Sequence, residues 1–116
     1  MKHTEDKIQI AAVRWFKLHY PEIVIHHSPN GGYRTKAEAG IFKAMGTMAG
    51  FADLIILKPT MNYNAFFIEF KSEKGRQTQS QKDFQSKCEE YGYKYAICRS
   101  VEDFRKIVKN YLIWGT

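Results

Sequence analysis

Phe51-Ala52-Asp53-Leu54-Ile55-Ile56-Leu57 and Ala65-Phe66-Phe67-Ile68-Glu69-Phe70-Lys71 are two apolar runs joined by Lys58-Pro59-Thr60-Met61-Asn62-Tyr63-Asn64, a linker of turn character. Each run reads as a strand, and three charges interrupt them: Asp53, Glu69 and Lys71. Side chains alternate along a strand, so Glu69 and Lys71 share a face. An antiparallel hairpin centred on Met61 sets Asp53 directly opposite Glu69, with Cβ atoms roughly 4.5–5.5 Å apart, a separation at which like charges repel. Two carboxylates so placed, with a lysine beside them, point to a divalent-cation site. A slip of one residue in the register would break the pairing. The plainer alternative makes Asp53 and Lys71 strand-end residues and pairs Glu69 with Lys71 on an exposed strand face. Both carboxylates interrupt apolar runs, where unpaired burial is costly. On these residues alone both readings stand.

The hairpin is apolar on both faces, with Leu54, Ile56, Phe66 and Ile68 on one and Ile55, Leu57 and Phe67 on the other. Such a sheet needs cover on both sides, so helices should flank it. Upstream, Thr4 can cap a helix with Glu5 and Asp6 in its first turn and Ile8, Ala11, Ala12, Trp15 and Leu18 along one stripe, stopped by Pro21. Ile23 to His27 reads as a short strand, Ser28 to Gly32 as a turn, and Glu38 to Met48 as a short helix. Gly50 permits a close approach where the chain turns into the first run. Downstream, Thr78-Gln79-Ser80-Gln81 fits a capping box and starts a helix with Phe84, Cys88 and Tyr91 inward, which Gly92 ends. Lys94 to Arg99 is a strand, and Ser100 caps a last helix with Val101, Phe104, Ile107, Val108, Tyr111 and Leu112 inward. The expected fold is a three-layer α/β arrangement around a mixed four-stranded sheet flanked by helices.

The 116 residues suit one domain with a real core, and at 44% hydrophobic the chain is not expected to be disordered. No apolar run reaches transmembrane length and no secretory signal is visible, so a soluble cytoplasmic protein with no membrane partner is expected. A net charge of +6 favours polyanionic partners, nucleic acid first. Cys88 and Cys98 fit neither a zinc motif nor a redox pair and read as small buried residues. His26 and His27 are adjacent, so they face opposite sides of a strand and cannot hold one metal together. The glycines around residue 46 are not followed by Gly-Lys-Ser/Thr, so no nucleotide cofactor is expected.

Other candidates follow from position. Glu5 lies at the edge of the first helix's buried stripe, as a helix-start acid or as part of a site that Gln9 shares. Gln81 either bonds the Thr78 amide in its capping box or reaches inward one turn before Phe84. Asn30 and Gly31 with Tyr33, Arg34, Lys36 and Lys43, and Lys74 with Arg76 in a second basic loop, are candidates for contact with a nucleic-acid backbone or plain solvated loops.

Taken together, a leading helix with Glu5, Gly50-Phe51-Ala52-Asp53-Leu54, Ile68-Glu69-Phe70-Lys71 and Thr78-x-x-Gln81 resemble the PD-(D/E)XK nuclease superfamily. Within it, the chain is similar to a stand-alone VRR-NUC domain (virus-type replication-repair nuclease) over residues 5–112, making 1–116 one such domain with a restriction-endonuclease-like core. The resemblance implies Asp53 and Glu69 as metal ligands with the Phe70 carbonyl, Lys71 as the catalytic lysine, Glu5 as a catalytic acid and ligand of a second metal, and Gln81 lining the site. It implies Mg²⁺ or Mn²⁺ as cofactor, a loop at Asn30-Gly31-Gly32 beside the substrate groove, branched DNA such as Holliday junctions as substrate, a homodimer, and a phage or prophage origin. Phe70 departs from the usual aliphatic residue between Glu and Lys, but its side chain should face away from the site. Tyr111, Trp114 and residues 40–48 are the candidate dimer surface. Two rival classes are a non-catalytic nucleic-acid-binding protein that keeps the fold, and a metal-dependent hydrolase of small phosphorylated molecules.

Overall fold

The computed structural model describes residues 2–29 and 35–114. Four helices and four strands follow one another as α1 (Lys2–His19), β1 (Ile25–His27), α2 (Lys36–Ala44), β2 (Leu54–Ile56), β3 (Phe66–Phe70), α3 (Gln79–Glu90), β4 (Lys94–Cys98) and α4 (Val101–Trp114). The sheet order is β1-β2-β3-β4, antiparallel across the first two pairings and parallel between β3 and β4. It is the mixed four-stranded α/β sheet expected. The hairpin register is also as expected: Leu54 lies opposite Ile68, Ile55 opposite Phe67 and Ile56 opposite Phe66.

Alternation along β2 and β3 divides the core in two. Leu54, Ile56, Phe66, Ile68 and Phe70 pack with Ala12 and Phe16 of α1 and Phe104, Val108 and Tyr111 of α4. Ile55 and Phe67 face the other way, toward Ala52, Phe84 and Cys88, with Tyr95 of β4 beside them. The Thr78 hydroxyl accepts the Gln81 N–H while the Gln81 side chain accepts the Thr78 N–H, so α3 begins in a complete capping box. Gly50, at φ +82°, lies against the Ser80 carbonyl, where an added Cβ would collide with backbone. The start of α3 is thereby held against the segment that leads into β2.

Several details differ from the sequence reading. Helix α1 starts at Lys2, so Thr4 lies within it rather than capping it. Its buried residues are Ala12 and Phe16, while Ala11 and Leu18 face outward. Phe16 meets Phe104 edge-on, so packing against α4 sets the phase of the stripe. The hairpin strands are shorter than the apolar runs, and Leu57, just past β2, is 53% exposed. Helix α2 starts earlier and ends earlier than Glu38 to Met48, capped by a Thr35–Glu38 box, and none of its residues is buried. Tyr111 is buried and its hydroxyl donates to the Lys58 carbonyl at 2.6 Å, which removes it from any dimer surface. Cys88 and Cys98 are buried free thiols, and burial pushes them up to about 11 and about 12. Asn30, Gly31, Gly32, Tyr33 and Arg34 lie outside the described residues. Among the described residues, no helix is long and apolar enough to cross a membrane.

Candidate active site

The register of the hairpin brings Asp53 and Glu69 together just outside the Leu54–Ile68 pair, where Asp53 leads into β2. Asp53 Oδ2 accepts the Phe70 N–H at 2.7 Å, so an aspartate side chain takes a backbone donor of β3. The His27 ring bonds the Asp53 carbonyl at 2.7 Å through Nδ1, which fixes the same residue from the β1 side. Glu69 is 3% exposed and Lys71 8%, so neither lies on an open strand face. Among the described residues no ion pair joins Lys71 to either carboxylate. The simple surface pairing of Glu69 with Lys71 is therefore not what this chain forms. The Phe70 side chain points into the α1–α4 core, as expected from alternation.

Glu69 is held through both oxygens. Gln81 Nε2 donates to Oε2 at 2.7 Å, and the Tyr95 hydroxyl donates to Oε1 at 3.4 Å. The two readings of Gln81 turn out to be compatible. Its Oε1 takes the Thr78 N–H at 2.9 Å, which leaves its amide hydrogens to face the carboxylate. Burial pushes Glu69 up to about 8, the Asp53 charge adds to that, and Lys71 opposes it. Asp53 is raised too, mainly by burial, with the Phe70 N–H pulling the other way. Burial and the Asp53 charge together work against ionisation of Glu69, and Lys71 offsets only part of this, an electrostatic condition that a bound metal ion would relieve.

Glu5 reaches the same end of the sheet from α1. Its Oε2 accepts the Ser72 N–H at 3.3 Å, and its charge raises Asp53. Among the described residues no three of Asp, Glu, His and Cys form a group that could hold a metal ion, so Glu5 does not join Asp53 and Glu69 in one. A cation at the pair would take two carboxylates plus main-chain or solvent oxygens, a donor set suited to Mg²⁺ or Mn²⁺. Beyond Lys71, Lys74 and Arg76 are exposed on a loop that Arg99 braces. Arg99 Nη1 lies 2.7 Å from the carbonyls of Ser72 and Gly75. Lys36 and Lys43 are exposed on α2, and Gln9 is half-buried on α1.

Sequence reasoning missed Tyr95, Gln77, His27 and Arg99. Tyr95 had a faint signal, since in a strand beside β3 it falls on the Phe67 face. The others act across chain separations that no spacing rule covers.

The hairpin of this mixed sheet thus ends in two carboxylates and a lysine. Comparisons with known proteins identify the family. The profile of the VRR-NUC domain matches residues 3–102. A solved structure titled VRR_NUC domain protein superposes with a TM-score of 0.80 at 29% identity, covering 97% of this chain and 90% of that one. No curated protein matches the chain. The chain belongs to the VRR-NUC domain family, a family of nucleases.

Proposed function

We propose that this chain is a metal-dependent, structure-selective DNA endonuclease that hydrolyses phosphodiester bonds in branched DNA such as Holliday junctions. The observation that carries the reading is the pairing of half-buried Asp53 with Glu69, which is 3% exposed, with Lys71 beside them. Asp53 and Glu69, with the Phe70 carbonyl, would hold Mg²⁺ or Mn²⁺. When bound, such an ion stabilises charge on the phosphate oxygens and lowers the pKa of a coordinated water. Asp53 is oriented for this by the Phe70 N–H, and Glu69 by Gln81. Lys71 would orient the attacking water or neutralise the scissile phosphate. Glu5, already at this end of the sheet, would serve a second metal after releasing Ser72.

A net charge of +6 and the exposed Lys74 and Arg76 beyond Lys71 support a phosphate-backbone partner. The exposed Lys36 and Lys43 would extend that contact, together with Asn30, Gly31, Tyr33 and Arg34. Paired cuts at a junction require two active sites, which a homodimer supplies. The exposed Ile41, Met45 and Met48 in and after α2 are an apolar surface suited to that contact.

The test is cleavage of a labelled four-way junction beside a linear duplex of matching sequence, with Mg²⁺, Mn²⁺ or EDTA, by wild type and Glu69→Ala. Metal-dependent paired cuts confined to the junction, absent in the variant, are expected. Cutting of both substrates would keep the nuclease and remove the junction preference. Tight binding without cleavage of either would make the protein a non-catalytic DNA binder.

A further inference from the structure

Glu69 and Glu89 are the two accepting ends of a chain of hydrogen bonds that runs outward from Gln77 in both directions. Glu89 Oε2 accepts from Gln85 Nε2 at 3.2 Å, and Gln85 Oε1 accepts from Gln77 Nε2 at 2.9 Å. The same Gln77 nitrogen donates to the Tyr95 hydroxyl oxygen at 3.3 Å. An amide nitrogen carries two hydrogens, so Gln77 uses both. With its oxygen already accepting, Tyr95 has its own hydrogen left to give, and Glu69 Oε1 receives it at 3.4 Å. Gln81 holds the other oxygen. Two neutral donors from separate elements thus fix the plane of one buried carboxylate. Each carboxylate oxygen offers two lone pairs, so one donor on each still leaves room for a cation.

The Tyr95 ring is accounted for without its hydroxyl, because it packs with Phe84 in the apolar cluster of the α3 face. A phenylalanine would fill that space as well. The hydroxyl of this residue, which is 8% exposed, is what packing does not explain.

We propose that Tyr95 is a positioning residue: its hydroxyl, aimed by Gln77, sets the orientation in which Glu69 takes a divalent cation. The proposal rests on the reading of Asp53 and Glu69 as the cation site. Partners that orient a ligand typically change metal affinity by about 10- to 100-fold when removed.

The experiment titrates Mn²⁺ calorimetrically, without DNA, into the full chain as wild type, Tyr95→Phe, Gln77→Ala, the double variant and Glu69→Gln. Thermal midpoints in EDTA are measured on the same samples. Tyr95→Phe is expected to weaken Mn²⁺ binding by about tenfold or more while the variant stays folded. Gln77→Ala should weaken binding less, and the double variant no more than Tyr95→Phe alone. On DNA, the half-saturating Mn²⁺ concentration should rise while the rate at saturating Mn²⁺ is kept. Wild-type affinity in Tyr95→Phe overturns the proposal. Should that variant not fold, wild-type affinity in Gln77→Ala overturns it instead. A wild type that binds no Mn²⁺, or a Glu69→Gln variant that binds as tightly, would remove the cation-site reading and the proposal together.

Discussion

The two faces of β3 differ by one residue in register and by everything in their chemistry. Phe66, Ile68 and Phe70 sink into an apolar layer that α1 and α4 close along its whole length with Phe16, Phe104 and Tyr111. On the opposite face, Phe67 packs under α3 with Phe84, but the next residue on that side is Glu69 and the one after it Lys71. Helix α3 presents its capped start there, so the cover changes from apolar side chains to the Gln81 amide. One face is sealed and the other is half sealed, with charges where the seal ends. Burial on the first face contributes stability. On the second it works against stability, because it holds two acids together. A protein keeps such an arrangement where chemistry needs it.

The sharpest way to test that contrast is to neutralise a charge on the second face. Glu69→Gln should reduce metal-dependent DNA cleavage to background in a nuclease assay while the protein stays folded. The reverse should hold on the first face. Phe104→Ala should cost about 3–5 kcal/mol in urea unfolding, with cleavage per folded molecule retained. Gly50→Ala lies between the two, since it strains the backbone and pushes on Ser80 at the start of α3. It should cost about 1–3 kcal/mol and lower activity as well, because Gln81 moves with the cap.

A further effect is one of pH. Glu69 titrates at about 8 in the folded chain, above the roughly 4.3 of an unfolded glutamate. A raised carboxyl favours the fold fully below the unfolded value and loses that contribution as pH rises through about 8. In EDTA, the thermal midpoint of the wild type should therefore fall more between pH 5 and pH 8.5 than that of Glu69→Gln. Equal falls would mean that burial of Glu69 carries no such cost.

Alternation and one turn were enough to read the hairpin. The runs at 51–57 and 65–71 have opposite faces that are both apolar, and the hairpin centre assumed at Met61 is the register the structure has. The phase of α1 was harder. Its apolar residues at 8, 10, 11, 12, 13, 15, 16 and 18 are compatible with more than one stripe, and contact between Phe16 and Phe104 decides among them. At the site, Asp53, Glu69 and Gln81 were legible because charge inside an apolar run and a capping box are local patterns. Tyr95, Gln77 and Arg99 were not, because each acts on a residue that only the closed sheet and its loops bring near. Glu5 was ambiguous for the same reason, since the N–H it bonds belongs to Ser72 at the far end of β3.

The most direct measurement is anomalous scattering from crystals soaked in Mn²⁺. The account requires a peak contacted by the Asp53 and Glu69 carboxylates and the Phe70 carbonyl, lost in Glu69→Gln. A manganese peak elsewhere, or none at this pair in a protein that still cuts DNA, would contradict it.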